Sequence, residues 1–209
     1  MRKRRASEAA AEVRSKRQQI LDAAGVVFAR KGYHKATVDE IIALADTGKG
    51  TVYNYFVNKE QLFYTLIQER SAPFEEVAEA IVNSSEPPLQ KIHTLIREFL
   101  AFFMVNADLW RVMMHEMRGL GAPELAAVPQ QTMEKYNQWF CRNIGRLEAV
   151  ILQGIEAGAL RDCETRLVGC GIFSVIVMMV FQGFVQDNID EMANSVNEIV
   201  LYGIVASSQ

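Results

Sequence analysis

Apolar residues recur at helical spacing along this chain. Ile20, Leu21, Ala24, Val27 and Phe28 define the core face of a first helix that starts between Glu8 and Ser15, with Gly32 as its C-terminal cap. Val38, Ile41, Ile42 and Ala45 repeat the period in a shorter stretch. It opens on Thr37 and Glu40, a capping box in which each side chain satisfies a backbone N–H that the first turn leaves unpaired. Asp46-Thr47-Gly48 interrupts the stripe with residues that tolerate turn geometry. Thr51, Val52, Tyr53, Tyr55 and Phe56 then predict a second short helix over about residues 48–55. Asn58 and Gln61 repeat the cap signature for a long helix over 58–83, with Leu62, Phe63, Leu66 and Ile67 on its apolar side.

The period continues to the end of the chain. Glu86-Pro87-Pro88 breaks the long helix, and Ile92, Leu95, Ile96, Phe99 and Phe103 carry the next one over 89–105. Asp108 caps a further helix to 117. Residues 119–129 read as a loop, and a long helix over 130–157 is closed by Gly158. The last two helices span 164–187 and 189–206, and no strand pattern competes with them. The fold class is all-α.

The short helix over 48–55 is the informative element. Isolated helices under about 12 residues are marginal in water, so this one must be held by its neighbours. Val52 and Phe56, one turn apart, supply the inner face, packing against Phe28 and Ile41. Lys49, Gly50, Thr51, Tyr53, Asn54 and Tyr55 are left on the outer and forward faces. Their ammonium, hydroxyl and amide groups suit phosphates and base edges. Helix, tight turn and short helix together have the form of a helix-turn-helix DNA reader.

Residues 45–63, ADTGKGTVYNYFVNKEQLF, resemble the signature of TetR-type transcriptional repressors, and RQQILDAAGVVFARKGYHKATVDEIIALA before them resembles that family's first two helices. The resemblance is strong over about residues 17–70 and diffuse beyond. It implies an N-terminal three-helix DNA-binding domain with a helix-turn-helix over 15–60. The basic arm before it, over 1–14, reads as a disordered, solvated tail, with a minor-groove arm as the alternative. A larger helical domain for effector binding and dimerisation follows over 61–209. By the same resemblance Lys49, Gly50 and Thr51 approach bases and nearby backbone, Tyr53 and Tyr55 hold phosphates, and Asn54 shares their surface. Lys59 and Thr37 bind phosphate at the starts of their helices. The chain departs from the family pattern at the turn, with Asp46 where a glycine is usual and Thr47 where an apolar residue is usual. Aspartate adopts the left-handed conformation at some cost, so the turn survives.

Charge supports the division. Residues 1–60 carry 12 Lys plus Arg against 7 Asp plus Glu, while residues 61–209 carry 10 against 18. A formal charge of −3 therefore conceals a positive reader and an acidic body, which keeps the rest of the molecule off the DNA. No apolar segment follows Arg2, Lys3, Arg4 and Arg5, so a secretory leader is not expected and the cytoplasm is the natural setting. Cys141, Cys163 and Cys170 lack C-x-x-C spacing and read as small apolar residues, with a redox pair of Cys163 and Cys170 as the alternative.

The resemblance further implies a homodimer on a palindromic double-stranded operator, released by a small hydrophobic effector. Activation rather than repression on the same fold is the alternative. Two copies about a two-fold axis read successive major grooves about 34 Å apart. Candidates for the effector pocket are Phe99, Phe103, Trp110, Met113, Met114, Met117, Trp139, Phe173 and Met178. The same residues serve equally as an ordinary core. His93, Arg97, His115, Glu116 and Arg142 are polar candidates in the same body. Val168, Phe181, Val185, Val200, Tyr202 and Gly203 are candidates for the dimer interface formed by the last two helices.

Other classes fare poorly. Residues 167–186 carry no charge over a membrane-spanning length, but Gly169, Gly171, Ser174, Gln182 and Gly183 lower their hydrophobicity, and a buried helix explains them better than a membrane span. Gly48-Lys49 lacks the flanking residues of a phosphate loop, since Ala43 and Gly50 stand where Gly and Ser or Thr are needed. His115-Glu116 lacks its second histidine at Gly119, and no G-x-S-x-G elbow occurs. No enzyme, cofactor or metal is implied.

Overall fold

The computed structural model describes residues 2–116, 130–184 and 188–204, with side chains over 16–114, 134–184 and 188–201. Among the described residues there are nine helices and no strand: α1 (Arg2–Lys35), α2 (Val38–Leu44), α3 (Lys49–Tyr55), α4 (Lys59–Asn83), α5 (Pro88–Val105), α6 (Ala107–Glu116), α7 (Gln130–Glu156), α8 (Thr165–Phe181) and α9 (Ile189–Ile204). The chain divides into two compact units, Met1–Glu69 with Asp108–Thr132, and Arg70–Ala107 with Met133–Gln209. Helix α4 contributes residues to both.

Most predicted boundaries agree with these to within two residues, and the exceptions have local causes. Helix α1 begins at Arg2, not between Glu8 and Ser15, so the segment expected as a solvated arm is helical. Its alanines at 6 and 9–11 are the strongest helix formers available. Gly32, expected as the cap, does end the first helical stretch at φ 73 and ψ 172, a conformation open to glycine, and a further turn of helix runs on from this kink to Lys35. Pro73 lies inside α4 and removes one backbone donor without ending the helix. The loop expected over 119–129 lies outside the described residues.

Three helices stop in the same way. Asp46, Gly158 and Gly183 have φ of 45°, 69° and 72°. In each case the residue's own N–H reaches back three positions and the next N–H reaches back five. The pairs are Asp46 to Ala43 O and Thr47 to Ile42 O, Gly158 to Ile155 O and Ala159 to Gly154 O, and Gly183 to Val180 O and Phe184 to Met179 O. This is the Schellman stop, which satisfies the last carbonyls of a helix through one left-handed residue. It ends α8 at Phe181, where the uncharged run predicted a helix to residue 187. No helix of the described residues is long and apolar enough to cross a membrane.

In the first unit α1 packs on α2 and α3, and α2 packs on α3. Ile20, Leu21, Ala24, Phe28, Ile41, Leu62 and Phe63 are almost fully buried there, and the rings of Phe28 and Phe63 meet edge to face at 4.8 Å. Arg17 of α1 braces this core from its rim. Its guanidinium pairs with Glu69 of α4 and lies 5.7 Å from the centre of the Phe56 ring.

In the second unit α5 packs on α8 and α9, and α8 packs on α9. Two polar contacts lace α5 to α9: Arg97 donates to Asp190 at 2.6 Å, and a ring nitrogen of His93 lies 2.8 Å from the Asn194 carbonyl oxygen. The buried ammonium of Lys91 donates to Val82 O and to Gln153 Oε1, each at 2.9 Å, tying the end of α4 to α5 and α7. Arg146 of α7 donates to Glu79 of α4 at 3.1 Å. That bond, and then one from Asn83, holds the Glu79 carboxyl below the usual carboxylate range.

Two outcomes follow for stability. Asp46→Val places a β-branched residue at positive φ and lowers unfolding free energy by about 1–2 kcal/mol in denaturant titration, whereas Asp46→Gly causes no loss. Because its folded pKa is depressed, Glu79 stabilises the chain above its unfolded value of 4.5 and loses that contribution as pH falls through the lower folded value. The stability gap between wild type and Glu79→Gln is therefore present at neutral pH and closes on acidification; a gap that stayed constant would contradict the assignment.

Candidate nucleic-acid interface

Helix α3 has seven residues. Its two inner side chains, Val52 and the C-terminal Phe56, are 1% and 2% exposed, which fixes the helix on α1 and α2 and turns the rest of its surface outward. Lys49, Gly50, Tyr53 and Asn54 are exposed, and Thr51 and Tyr55 are half-buried. Gly48 precedes the helix in an extended conformation, with φ −81 and ψ 151, and offers no side-chain cap to its first turn. The structure thus brings six of the eight sequence-nominated contact residues onto one small polar surface.

The turn and caps that aim α3 are local. Thr37 Oγ1 accepts from Glu40 N at 3.3 Å, and Glu40 Oε2 accepts from Thr37 N at 3.1 Å, so the predicted capping box is complete. Lys31 of α1 also pairs with Glu40. That bond first, and the Thr37 backbone N–H second, hold the Glu40 carboxyl below the usual carboxylate range. Thr37 itself is exposed, and its hydroxyl keeps a proton to donate. At the far side of α3, Asn58 Oδ1 accepts from Gln61 N and Gln61 Oε1 accepts from Val57 N, both at 2.7 Å. The glutamine reaches one residue further back than a standard capping box does.

Both nominated lysines are engaged within the protein. The Lys49 ammonium lies 3.2 Å from Asp39 Oδ1 of α2, with both side chains largely exposed. An exposed pair of this kind contributes little and yields readily to a competing phosphate. Lys59 is held differently. Its ammonium donates to Tyr33 O at 2.9 Å, Ala36 O at 3.1 Å and His34 O at 3.4 Å, and lies 4.6 Å from the centre of the Tyr33 ring. The sequence contained no signal for these acceptors, because the carbonyls come from residues 23 to 26 positions away.

The residues nominated for an effector pocket fall into groups. Phe99, Phe103 and Phe173 form a ring cluster with centroids 5.5–6.3 Å apart, and Phe74, Phe102 and Phe140 extend it. Trp139 joins through Phe102 at 6.1 Å. Trp110 and Met113 are buried and Met114 half-buried on α6, which falls in the first unit. Met178 is not inside: it is 56% exposed on α8, because residues 172, 173, 176 and 180 take that helix's buried face. Met117 lies outside the described residues.

Of the residues nominated for an interface, Val168, Phe181 and Val200 are half-buried. Val185, the side chain of Tyr202 and the exposure of Gly203 lie outside what is described. The exposed stripe of α8 is instead Leu167, Gly171, Ser174 and Met178, spaced four, three and four residues apart on one face. Among the polar candidates, Arg142 pairs with Glu75 at 3.5 Å, and His93 and Arg97 serve the α5 to α9 contact. The side chains of His115 and Glu116 lie outside the description.

Known proteins share this arrangement. The family described as bacterial regulatory proteins, tetR family, matches residues 20–65, and the one described as tetracyclin repressor-like, C-terminal domain, matches residues 85–181. The fatty acid metabolism regulator protein of Bacillus subtilis (strain 168) is 28% identical over 195 residues, which cover 91% of this chain and 96% of that protein. The solved structure of the transcriptional regulator FadR from Bacillus subtilis in complex with stearoyl-CoA matches with a TM-score of 0.75 at 26% identity, over 89% of this chain and 98% of that one. The fatty acid degradation regulator FadR from Bacillus halodurans matches with a TM-score of 0.72 at 25% identity, over 89% and 98%. With its reader and most of its helical body both matched, this chain belongs to the tetR family of bacterial regulatory proteins and is a transcriptional regulator, not an enzyme.

Proposed function

We propose that the chain is a repressor that binds a palindromic operator as a homodimer and is released by a long-chain fatty acyl-CoA. The observation that carries the DNA-binding part is the outward polar surface of α3 above buried Val52 and Phe56. Lys49, Gly50, Thr51 and Asn54 contact base edges and adjacent backbone. Tyr53, Tyr55 and Thr37 donate to phosphates, and Lys49 exchanges Asp39 for a phosphate or a base.

One seven-residue helix spans too few base pairs for specificity, so a two-fold pair is the working unit. The exposed stripe Leu167, Gly171, Ser174 and Met178 supports pairing through α8, since its two central residues are small enough to let a second helix approach closely. The acyl-CoA class is supported by what the Bacillus subtilis FadR structure holds and by the fatty acid regulator among the relatives. The phenylalanine cluster of the second unit gives an acyl chain an apolar lining once its rings part. Release follows if the acyl-CoA binds better to a dimer whose reading helices are misaligned, and α4, which carries residues of both units, is the covalent link for that change.

Selection from random DNA at low salt is expected to recover a palindrome, bound with a steep salt dependence of about 0.9 log units per phosphate contact. Stearoyl-CoA is expected to weaken that complex at least about tenfold, a typical allosteric coupling, and free coenzyme A is not. Recovery of no preferred sequence would remove the regulator's operator reading. Release by neither stearoyl-CoA nor shorter acyl-CoA would remove the effector class alone.

A further inference from the structure

We infer that Lys59 is a positioning residue that closes the helix-turn-helix on itself, and is not a phosphate ligand; this rests on the DNA-binding function proposed above. Lys59 is the first residue of α4, where a positive charge opposes the helix dipole. Its side chain turns away from that end, onto the carbonyls of Tyr33, His34 and Ala36. Those carbonyls follow Gly32, whose φ of 73 breaks α1 and redirects the chain there. Helix ends leave carbonyls without intrahelical donors, and an ammonium is a suitable partner for them.

An ammonium has three N–H donors, and three carbonyl oxygens lie within 2.9–3.4 Å of this one. The Tyr33 ring, 4.6 Å away, covers it further. A phosphate could engage Lys59 only by breaking these contacts. Lys49, with one exposed carboxylate partner, faces no such cost.

What the contacts enclose gives Lys59 its role. Ala36 is the residue before the cap of α2, and Lys59 comes four residues after the last residue of α3. The bond from Lys59 to Ala36 O therefore joins the two ends of the segment that holds α2, the turn and α3. Closing a loop restricts every residue within it, and α3 depends on such support because it is too short to persist alone. Lys59 thereby fixes the angle at which α3 meets a base pair, without touching the DNA.

The test compares wild type with Lys59→Met, which keeps an unbranched apolar side chain of similar length but loses all donors, and with Lys59→Arg, which keeps the charge in a planar fork that does not converge on three carbonyls. Amide hydrogen exchange needs no DNA. Both variants are expected to exchange faster across residues 38–55 than wild type, with residues 88–105 unchanged; equal exchange over 38–55 overturns the inference. Binding is then measured well below each variant's Tm, on the palindrome selected by wild type and on random duplex. The expected result is a specificity ratio lowered on the order of tenfold, comparable to a mismatched base pair, with the salt slope of random-duplex binding unchanged. A slope reduced by about 0.9 for Lys59→Met marks a lost phosphate contact and overturns the inference. A lower Tm with an unchanged specificity ratio marks a merely structural residue and also overturns it. If wild type selects no palindrome, the operator reading fails, while the exchange measurement still decides the role of Lys59.

Discussion

A helix of seven residues makes too few internal hydrogen bonds to persist in water, so α3 and the outward surface proposed to read DNA exist only while Val52 and Phe56 stay buried. Much of the first unit serves that burial. The edge-to-face pair of Phe28 and Phe63 joins α1 to α4, and Ile41 brings α2 onto the same core. Arg17 supports the rim by contacting Phe56 and Glu69 at once. Since anchoring and contact residues alternate along one short segment, the packing that stabilises α3 also determines which of its side chains face outward. Stability and the proposed recognition are thereby coupled through the same few residues.

Electrostatics play a subtler part than a basic reader on an acidic body. Lysines that read as DNA ligands by type and position have partners inside the protein, and the strength of those partners separates their roles. Lys49 has one exposed carboxylate, an interaction that salt and competing phosphates weaken easily. Lys59 has three backbone carbonyls and an aromatic face. Lys91 repeats the second pattern in the other unit, where a buried ammonium reaches a carbonyl at the end of α4 and the amide of Gln153. The two lysines near the ends of α4 therefore bind neutral oxygens of other segments, which suits a helix whose ends must stay in register with what they touch.

Much of the fold was legible because its signals are short-range. Thr37 with Glu40 opens α2 as predicted, and Asn58 with Gln61 opens α4 by a variant of the same device. Asp46 takes the left-handed conformation that the turn requires of it, and Gly158 closes α7 in the same geometry. Two helix ends differ from the local pattern. The uncharged run from Leu167 onward suggested a longer helix, because its composition says nothing about the stop at Gly183. The polar start of α1 carries four basic residues and no apolar stripe, the pattern of a tail, yet its alanines have the propensity to extend the helix to Arg2.

By itself the sequence determined the helical class, the position and outward polarity of the short helix proposed to read DNA, and the charge division between residues 1–60 and 61–209. These follow from periodicity, capping and composition, each of which acts over a few residues. Only the tertiary structure decided which long side chains are already committed and which apolar residues face inward. Lys59 meets carbonyls more than twenty positions away, and Met178 points outward because its neighbours on α8 fill the interior. The physical reason is common to both. A hydrogen-bond partner or a buried face is settled by segments distant in sequence that packing brings together, and no local pattern encodes that encounter.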